Sequence, residues 1–195
     1  MIYILRHGKT EMNRAGALQG RSDHPLNEEG IAQAKKAGEL FRTAGIAFDR
    51  VYSSPLIRAV QTARLVTADE APEIVIDDRL IEMDYGPYEG MSLDDPAPEV
   101  LVFFKDFANN PAPEGMEPLA DIVSRMGAFL EDVRSEAARS DILVSTHAIA
   151  MKGALEYLTP ASNGSYWSKF IGNCAVYMVE VNADGTWGVP FEWVD

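Results

Sequence analysis

The sequence predicts an α/β fold: a three-layer α/β/α sandwich built on a mainly parallel β-sheet with one antiparallel edge strand. Short apolar runs alternate along the chain with longer segments whose apolar residues recur at helical spacing, as in Leu119, Ile122 and Met126. Strands that alternate with helices imply right-handed crossovers and a parallel sheet that is covered on both faces. The last two strands follow one another directly, joined by a turn at residues 182–185, and they account for the antiparallel edge.

Each strand is assigned to a short apolar run, and each helix to an amphipathic segment or to a start signal. The predicted strands are residues 2–5, 48–53, 74–76, 142–145, 174–181 and 187–193. Asn27 is a good N-cap for a helix that Gly45 ends, and a second helix is predicted to start with Ser54 as its N-cap and Pro55 at its first position. The remaining helices are predicted at residues 99–107, 119–133 and 147–158. Residues 84–118, rich in Pro and Gly, are interpreted as an insertion that covers one edge of the sheet and the substrate.

Length and composition limit the class of protein. At 195 residues the chain is expected to form one domain, and its 47% apolar and 24% charged residues are typical of a globular protein in solution. No apolar run reaches the roughly 18 residues of a membrane span, and the first residues lack the features of a secretory signal. Cys174 is the only cysteine, which excludes an internal disulfide and favours a cytoplasmic location.

The charge balance bears on the partner. With 17 Lys and Arg against 30 Asp and Glu, the net charge is −13, and the sequence contains no basic cluster. A nucleic-acid partner is therefore not expected. An anionic ligand would have to be bound by a few cations gathered in one cleft, which makes the position of each Arg and His informative.

Cationic and imidazole side chains follow three of the predicted strands at the point where each strand ends. Arg6 and His7 follow the first strand, Arg58 lies just beyond the second, and His147 follows the fourth. Because the carboxyl ends of parallel strands share one edge, these four side chains can converge on a single crevice. Guanidinium groups match phosphate oxygens, and charge-assisted hydrogen bonds contribute about 1.5–3 kcal/mol each. The pattern therefore predicts a phosphate site. The helices that start after Pro55 and after Thr146 are expected to add backbone N–H donors to it.

Further short motifs extend this pattern from residue 1 to about residue 150. They are Arg6-His7-Gly8 with Thr10 and Asn13, Gln19-Gly20, Ser53-Ser54-Pro55-Leu56-Ile57-Arg58-Ala59, Gln61-Thr62-Ala63, Glu82 with Gly86, Glu89-Gly90, and Thr146-His147. In order and spacing the set resembles the histidine phosphatase superfamily, in the branch of the cofactor-dependent phosphoglycerate mutases and their phosphatase relatives. The resemblance implies a phosphoglycerate mutase-like fold and an enzyme that acts on phosphate esters without a metal.

The resemblance also implies roles for the strand-end residues. His7 is the expected nucleophile and becomes transiently phosphorylated, for which a neutral imidazole is available near pH 7. Arg6, Arg58 and His147 are expected to hold the phosphate oxygens and to stabilise their charge during transfer. His147 is expected to be protonated beside the phosphate dianion.

Other positions are implied in proton transfer and substrate binding. Glu82 matches the general acid of the family and the base that later activates water, and Asp84 and Glu89 are weaker alternatives. The residues implied to bind substrate are Asn13, Thr10, Gln19, Gly20 and Ala148.

Three features depart from the usual pattern of the family. Lys9 stands where Glu or Gln is usual, and is expected to add a cation at the mouth of the site. Ala148 replaces a common Gly, and the usual Gly-Glu-Ser/Thr pattern within residues 113–118 is altered at Met116 and Pro118. These changes are expected to affect substrate choice rather than the core chemistry.

The sequence favours net hydrolysis of a phosphate monoester over mutase chemistry. Residues 84–118 carry only one basic residue, Lys105, whereas a mutase requires a more basic cover that excludes water. The alternative from another class is a phosphoester-binding module without useful catalysis, against which the presence of both His7 and His147 argues.

The expected partner is a small phosphorylated metabolite. Sugar phosphates, phosphoglycerate-like acids and nucleoside-type phosphates such as α-ribazole phosphate all fit. No cluster of Cys, His and Asp has metal-ligand spacing, so neither a metal nor a cofactor is expected. A homodimer is compatible with the resemblance, since the family includes monomers, dimers and tetramers.

Overall fold

A six-stranded sheet lies at the centre of the structure, a computed structural model that describes residues 1–68, 72–107 and 109–193. The strands are β1 (Ile2–Arg6), β2 (Arg50–Ser53), β3 (Ile74–Ile76), β4 (Ile142–Thr146), β5 (Val176–Val179) and β6 (Phe191–Trp193), in the spatial order β3-β2-β4-β1-β5-β6. β1 to β4 are mutually parallel, and β5 is antiparallel to both of its neighbours. The predicted α/β sandwich and mainly parallel sheet are confirmed. The antiparallel strand, β5, lies second from the edge and not at the edge, because β6 pairs with its outer side.

Helices cover both faces of this sheet. They are α1 (Glu11–Arg14), α2 (Glu28–Thr43), α3 (Ile57–Thr67), α4 (Pro98–Lys105), α5 (Leu119–Ala137) and α6 (Ala148–Leu158). Side chains alternate along β1, so that Ile2 and Ile4 join the apolar cluster that contains α5 and α6. Tyr3 and Leu5 belong to the cluster on the opposite face, with α2 and α3. Because both faces of β1 are buried, its sequence is a continuous apolar run, as expected for the centre of a parallel sheet.

Two predicted helix starts have different outcomes. The Asn27 side chain accepts a hydrogen bond from Gly30 N at 2.8 Å, which confirms it as the N-cap of α2. The prediction that Ser54 caps α3 is wrong, because α3 begins at Ile57 and Leu56 occupies the N-cap position. Ser54 Oγ instead lies 2.7 Å from His147 Nε2, so this hydroxyl is engaged with the neighbouring strand end.

Residues 84–118 contain the short helix α4 and also contribute to the core. Val100, Phe103, Phe107 and Met116 are buried in the cluster that contains α5 and α6. Phe103 and Phe107 pack edge to face, with ring centroids 4.7 Å apart. This segment is thus integrated into one face of the fold. Among the described helices, none combines the length and apolar character needed to cross a membrane.

Candidate active site

The ends of three neighbouring strands bring the predicted residues together. β1 and β2 both pair with β4, so that Arg6 lies opposite Thr146 and Ser53 lies opposite Ser145. His7 and His147 follow β1 and β4, and their ring centroids are 5.1 Å apart. Both imidazoles and the Arg58 side chain are buried. The convergence of Arg6, His7, Arg58 and His147 on one edge is as the strand pattern predicts.

His7 is held in a defined tautomer. Its Nδ1 lies 2.7 Å from the Gly8 carbonyl oxygen, which can only accept a hydrogen bond, so Nδ1 carries the proton. Nε2 is therefore the nitrogen with the free lone pair. Burial, followed by the positive charges of Arg6 and Arg58, holds the pKa of His7 well below its usual value, and the ring is neutral near pH 7.

Arg58 and His147 form a connected pair. Arg58 Nε donates to His147 Nδ1 at 3.2 Å, so the proton of the neutral ring lies on Nε2, which faces Ser54. The two other Arg58 nitrogens donate to the carbonyl oxygens of Ser22, at 2.8 Å, and Gly20, at 2.5 Å. Burial, then Arg58, lowers the pKa of His147 well below its usual value. The surrounding charges thus favour a neutral ring, and the expected protonation of His147 would require the opposing charge of a phosphate dianion.

Two buried donors of the site are without a hydrogen-bond partner among the described residues, and a third such atom, Thr159 Oγ1, lies away from them at the C-terminal end of α6. Arg6 Nη1 donates to the Ile171 carbonyl oxygen at 2.5 Å, while Arg6 Nε has no partner. Gln19 Nε2 is the second such donor; the oxygen of the same amide accepts from Thr10 Oγ1 at 2.6 Å. An unsatisfied buried donor costs about 1–3 kcal/mol. Both groups are therefore suited to receive an anionic oxygen.

The short helix α1 fixes Asn13 close to His7. Thr10 caps this helix by accepting from Asn13 N at 3.2 Å, and Asn13 Oδ1 accepts from Thr10 N at 3.2 Å. Asn173 Nδ2 donates to the His7 carbonyl oxygen at 3.0 Å and lies 3.3 Å from Asn13 Oδ1. The three polar side chains therefore connect α1, the end of β1 and the loop before β5.

Two glycines of the site are required by close backbone contacts. A Cβ at Gly20 would lie 2.4 Å from the Met83 carbonyl oxygen, and a Cβ at Gly8 would lie 2.5 Å from the Gly30 carbonyl oxygen. Gly20 N donates to the Glu89 carboxylate at 2.9 Å, while its carbonyl oxygen binds Arg58. Because its close neighbour is Gly30, Gly8 packs against the first turn of α2.

Glu82 lies at the N-terminus of α6. Its carboxylate is buried and accepts from Met83 N at 2.8 Å, Ala150 N at 3.0 Å and Ile149 N at 3.2 Å. The first N–H of α3, that of Ile57, donates in the same way to Asp23 Oδ1 at 2.7 Å. The prediction that the helix starts supply N–H donors to phosphate is therefore wrong for these groups, which bind carboxylates of the protein.

The departures from the family pattern have distinct surroundings. Lys9 Nζ pairs with the Glu29 carboxylate, at 2.9 Å to Oε2, so its charge is neutralised at α2. Ala148 is the first residue of α6 and directly follows His147. Met116 is buried in the core, and Pro118 precedes α5 as its N-cap residue.

Two supporting residues have no role assigned from the sequence, although Thr62 lies within the motif Gln61-Thr62-Ala63. Thr62 Oγ1 accepts from Gly8 N at 3.0 Å and donates to the Arg58 carbonyl oxygen at 2.7 Å, which joins α3 to the turn after β1. Lys152 is buried in α6, where its Nζ donates to the Trp167 carbonyl oxygen at 2.7 Å. Its only sequence signal is a cation within residues 148–155, a stretch that is otherwise apolar. The described ranges contain no group of three or more His, Cys, Asp or Glu suited to hold a metal ion.

The chain belongs to the histidine phosphatase superfamily (branch 1), whose family model matches residues 2–192. It is 30% identical over 184 residues to phosphoserine phosphatase 1 of Hydrogenobacter thermophilus, covering 92% of this chain and 86% of that protein. It is 27% identical over 196 residues to a 2,3-bisphosphoglycerate-dependent phosphoglycerate mutase of Azorhizobium caulinodans, covering 95% and 94% of the two chains.

Solved structures of this family have the same fold. Phosphoserine phosphatase from Entamoeba histolytica, solved with 3-phosphoglyceric acid, superposes with a TM-score of 0.80 at 25% identity over 98% of this chain and 93% of that one. YhfR of Bacillus stearothermophilus superposes with a TM-score of 0.83 at 25% identity over 96% and 94%. The protein is therefore an enzyme of the phosphatase and phosphoglycerate mutase class.

Proposed function

We propose that this enzyme hydrolyses phosphate monoesters of small molecules through a phosphohistidine on His7. The observation that carries the proposal is the state of His7: a buried, neutral imidazole whose Nδ1 proton is fixed on the Gly8 carbonyl oxygen. Nε2 is thereby a nucleophile near pH 7 without a separate base. The neighbouring guanidiniums of Arg6 and Arg58 supply positive charge where phosphate charge would have to be stabilised.

The reaction proceeds in two transfers at phosphorus. In the first, His7 Nε2 bonds to phosphorus, the bond from phosphorus to the ester oxygen breaks, and Glu82 protonates the departing alkoxide. In the second, Glu82 takes a proton from water, whose oxygen bonds to phosphorus as the P–N bond breaks, and inorganic phosphate leaves. Proton transfer of this kind contributes typically about 10²–10⁴-fold to the rate.

Glu82 is preferred as the acid because of the position of its carboxylate, which is buried against the residues that directly follow His147. Glu89 accepts from Gly20 N at 2.9 Å and from Ser22 Oγ at 2.5 Å, so it shapes the loop that holds Arg58. Asp84 accepts from Gly86 N at 2.8 Å and pairs with an exposed arginine. Glu82 is buried, and its backbone donors at the start of α6 place it directly after His147.

Phosphate binding uses the free donors of the site. Arg6 Nε and Gln19 Nε2 would each satisfy a buried N–H by binding phosphate oxygen. Arg58 and His147 would do so by exchanging a protein partner for phosphate. Around them, the residues proposed to bind or shape the substrate site are Asn13, Thr10, Gln19, Gly20 and Ala148.

Hydrolysis is favoured over mutase chemistry because few unpaired cations lie around segment 84–118, which is interpreted as covering the substrate. Lys105, the single basic residue of segment 84–118, is exposed at the end of α4. Arg21 and Arg125, which lie beside the segment, are both paired with Glu117. A retained phosphoenzyme and a second anionic group of a bisphosphate would have few cations to bind them.

The direct test is to trap the intermediate. Enzyme incubated with a labelled phosphate ester and quenched is expected to carry acid-labile, base-stable phosphate, and His7→Ala is expected to carry none. His24→Ala, in the loop before α2, is the matched control and is expected to behave as the parent. Unchanged hydrolysis by His7→Ala would contradict the assignment.

A second assay separates hydrolysis from phosphoryl transfer. Incubation with p-nitrophenyl phosphate and with 3-phosphoglycerate is expected to release inorganic phosphate, and mutase turnover with negligible release would overturn the proposal. Activity is expected to persist in excess EDTA, and its loss there would indicate a metal. A panel of phosphoserine, phosphoglycerate, sugar phosphates and α-ribazole phosphate then identifies the preferred ester.

A cytoplasmic location is also proposed, supported by a single cysteine. Burial raises the pKa of the Cys174 thiol to about 12, so it is a poor partner for disulfide exchange. Cell fractionation with an antibody tests this, and recovery from an extracytoplasmic fraction would contradict it.

A further inference from the structure

The segment that carries Glu82 is held on both sides by side chains from other parts of the chain. Residues 79–84 have no strand partner, yet the three carbonyl groups that precede Glu82 are all hydrogen-bonded. Thr146 Oγ1 donates to the middle one, that of Leu80, at 2.7 Å. Because the segment lacks a sheet ladder, its position depends on these side-chain bonds together with the packing of the buried Leu80 and Met83 side chains.

Arg125, on α5, binds the two outer carbonyl groups. Its Nη1 donates to the carbonyl oxygens of Arg79 and Ile81, each at 2.6 Å. Its other nitrogens bind one carboxylate, with Nε 2.8 Å from Glu117 Oε1 and Nη2 3.2 Å from Oε2. One guanidinium therefore fixes the residue directly before Glu82 and is itself fixed by a bidentate ion pair. Only a planar fork with several donors can make this set of bonds.

Glu117 holds the segment on the other side of Glu82. Its Oε2 accepts from Asp84 N at 3.1 Å, and its backbone N donates to the Asp84 carbonyl oxygen at 2.8 Å. Arg21, in the loop that binds Arg58, also reaches Glu117 Oε2, at 3.5 Å. The carboxylate thus joins the phosphate side of the site to the segment that carries the acid. Both Glu117 and Arg125 are largely buried, with side-chain exposures of 10% and 15%.

We propose that Arg125 and Glu117 are positioning residues that set the placement of the Glu82 carboxyl group for proton transfer to the leaving group. The inference rests on the proposed acid role of Glu82. Among the described residues, neither Arg125 nor Glu117 has a hydrogen bond or ion pair with Arg6, His7, Arg58 or His147, although the charge of Arg125 helps to lower the pKa of His147. Nucleophilic attack and phosphate binding therefore depend on these two residues less directly than the placement of Glu82 does. Their loss should therefore weaken acid catalysis more than any other part of the reaction.

The leaving group of the substrate makes this separation measurable. An alkoxide is a poor leaving group and needs the proton of Glu82, whereas p-nitrophenolate departs without one. The ratio of kcat/KM for an alkyl phosphate to kcat/KM for p-nitrophenyl phosphate reports on acid catalysis in the first transfer. A general loosening of the fold lowers both values and leaves their ratio unchanged.

The experiment measures this ratio with glycerol 2-phosphate as the alkyl ester in Glu82→Gln, Arg125→Met, Arg125→Lys and Glu117→Gln. Glu82→Gln is expected to lower the ratio by about 10²-fold or more. Arg125→Met is expected to lower it by about 10-fold to 100-fold, as a displacement of about 1 Å would. Arg125→Lys and Glu117→Gln, which retain more of the local packing, are expected to give intermediate losses. Arg134→Met, an exposed arginine of the same helix paired with Glu131, is the matched control and should leave the ratio unchanged.

The outcomes distinguish the two proposals. A selective loss in Glu82→Gln together with a flat ratio in all Arg125 and Glu117 variants would overturn the positioning role alone. A flat ratio in Glu82→Gln itself would overturn the acid role of Glu82, and with it the positioning role. If Arg125→Met fails to fold by circular dichroism, Arg125→Lys and Glu117→Gln decide the question.

Discussion

Replacing Lys152 by Met should change how the stability of the protein depends on pH. Lys152 is 8% exposed, and its Nζ donates to the carbonyl oxygen of Trp167 and lies 5.3 Å from the centroid of the Phe107 ring. Burial lowers its pKa from 10.5 to about 8; the nearby Glu82 opposes this shift, and Arg6 adds to it. The folded protein therefore binds this proton more weakly than the unfolded chain does.

The sign and size of the effect follow from this difference in pKa. Between pH 8 and 10.5 the unfolded chain keeps the proton that the folded protein has lost, so the free energy of unfolding rises with pH in this window. Below pH 8 both states are protonated and the folded state bears the whole penalty of a buried ammonium. At about 1.4 kcal/mol per pKa unit, the change across the window is about 3 kcal/mol.

Urea unfolding of the parent and of Lys152→Met at several pH values from 7 to 10.5 measures this contribution of Lys152 to the free energy of unfolding. The difference in unfolding free energy, parent minus variant, is expected to rise by about 3 kcal/mol over that range. At pH 7 the two proteins should have similar stability, because the variant removes a buried charge but leaves the Trp167 carbonyl unsatisfied, at a cost of about 1–3 kcal/mol. A difference that stays constant with pH would refute the reasoning.

Three further predictions concern the site. Arg58→Met should lower kcat by about 10²–10³-fold, because it removes a preorganised donor to the phosphate. Steady-state kinetics with p-nitrophenyl phosphate measure this loss, and a kcat near that of the parent would exclude a catalytic role for Arg58. Gly20→Ala should abolish activity because its Cβ would lie 2.4 Å from the Met83 carbonyl oxygen, whereas Gly172→Ala, where the nearest atom is 3.8 Å away, should retain it; equal activity would contradict the close-packing argument. Because the pKa of His7 is lowered, kcat/KM corrected for substrate ionisation should stay flat as pH falls through 6.5, and an acid limb at or above 6.5 would contradict a neutral His7.

The strand ends of the site could be predicted because they depend on local pattern and on topology alone. A short apolar strand followed by Arg6 and His7, and another followed by His147, need only a parallel sheet to bring their ends to one edge. The structure places β4 between β1 and β2, which makes the three ends neighbours. The correct assignment of α2 from Asn27 has the same origin, since an N-cap is a local signal.

The parts that could not be predicted depend on partners distant in sequence. Ser54 has the local features of an N-cap, but its hydroxyl binds His147. The first N–H of α3 binds Asp23, and the N–H groups of Ile149 and Ala150 in α6 bind Glu82, so the donors expected to bind phosphate are bonded to carboxylates of the protein. The contacts of Arg125 join residues more than forty positions apart, which no local pattern reveals.

The position of β1 has a consequence for the order of assembly. β1 leaves the ribosome before the strands with which it pairs, which among the described strands are β4 and β5, at residues 142–146 and 176–179. Until those residues have been synthesised, its apolar side chains and backbone groups have no native sheet partner. Pairings so remote in sequence are slow to form. Catalytic activity is therefore expected to arise late and in one step, when pairing of β1 with β4 brings His7 next to His147. Nascent chains that lack the last third of the sequence should be inactive and prone to aggregation.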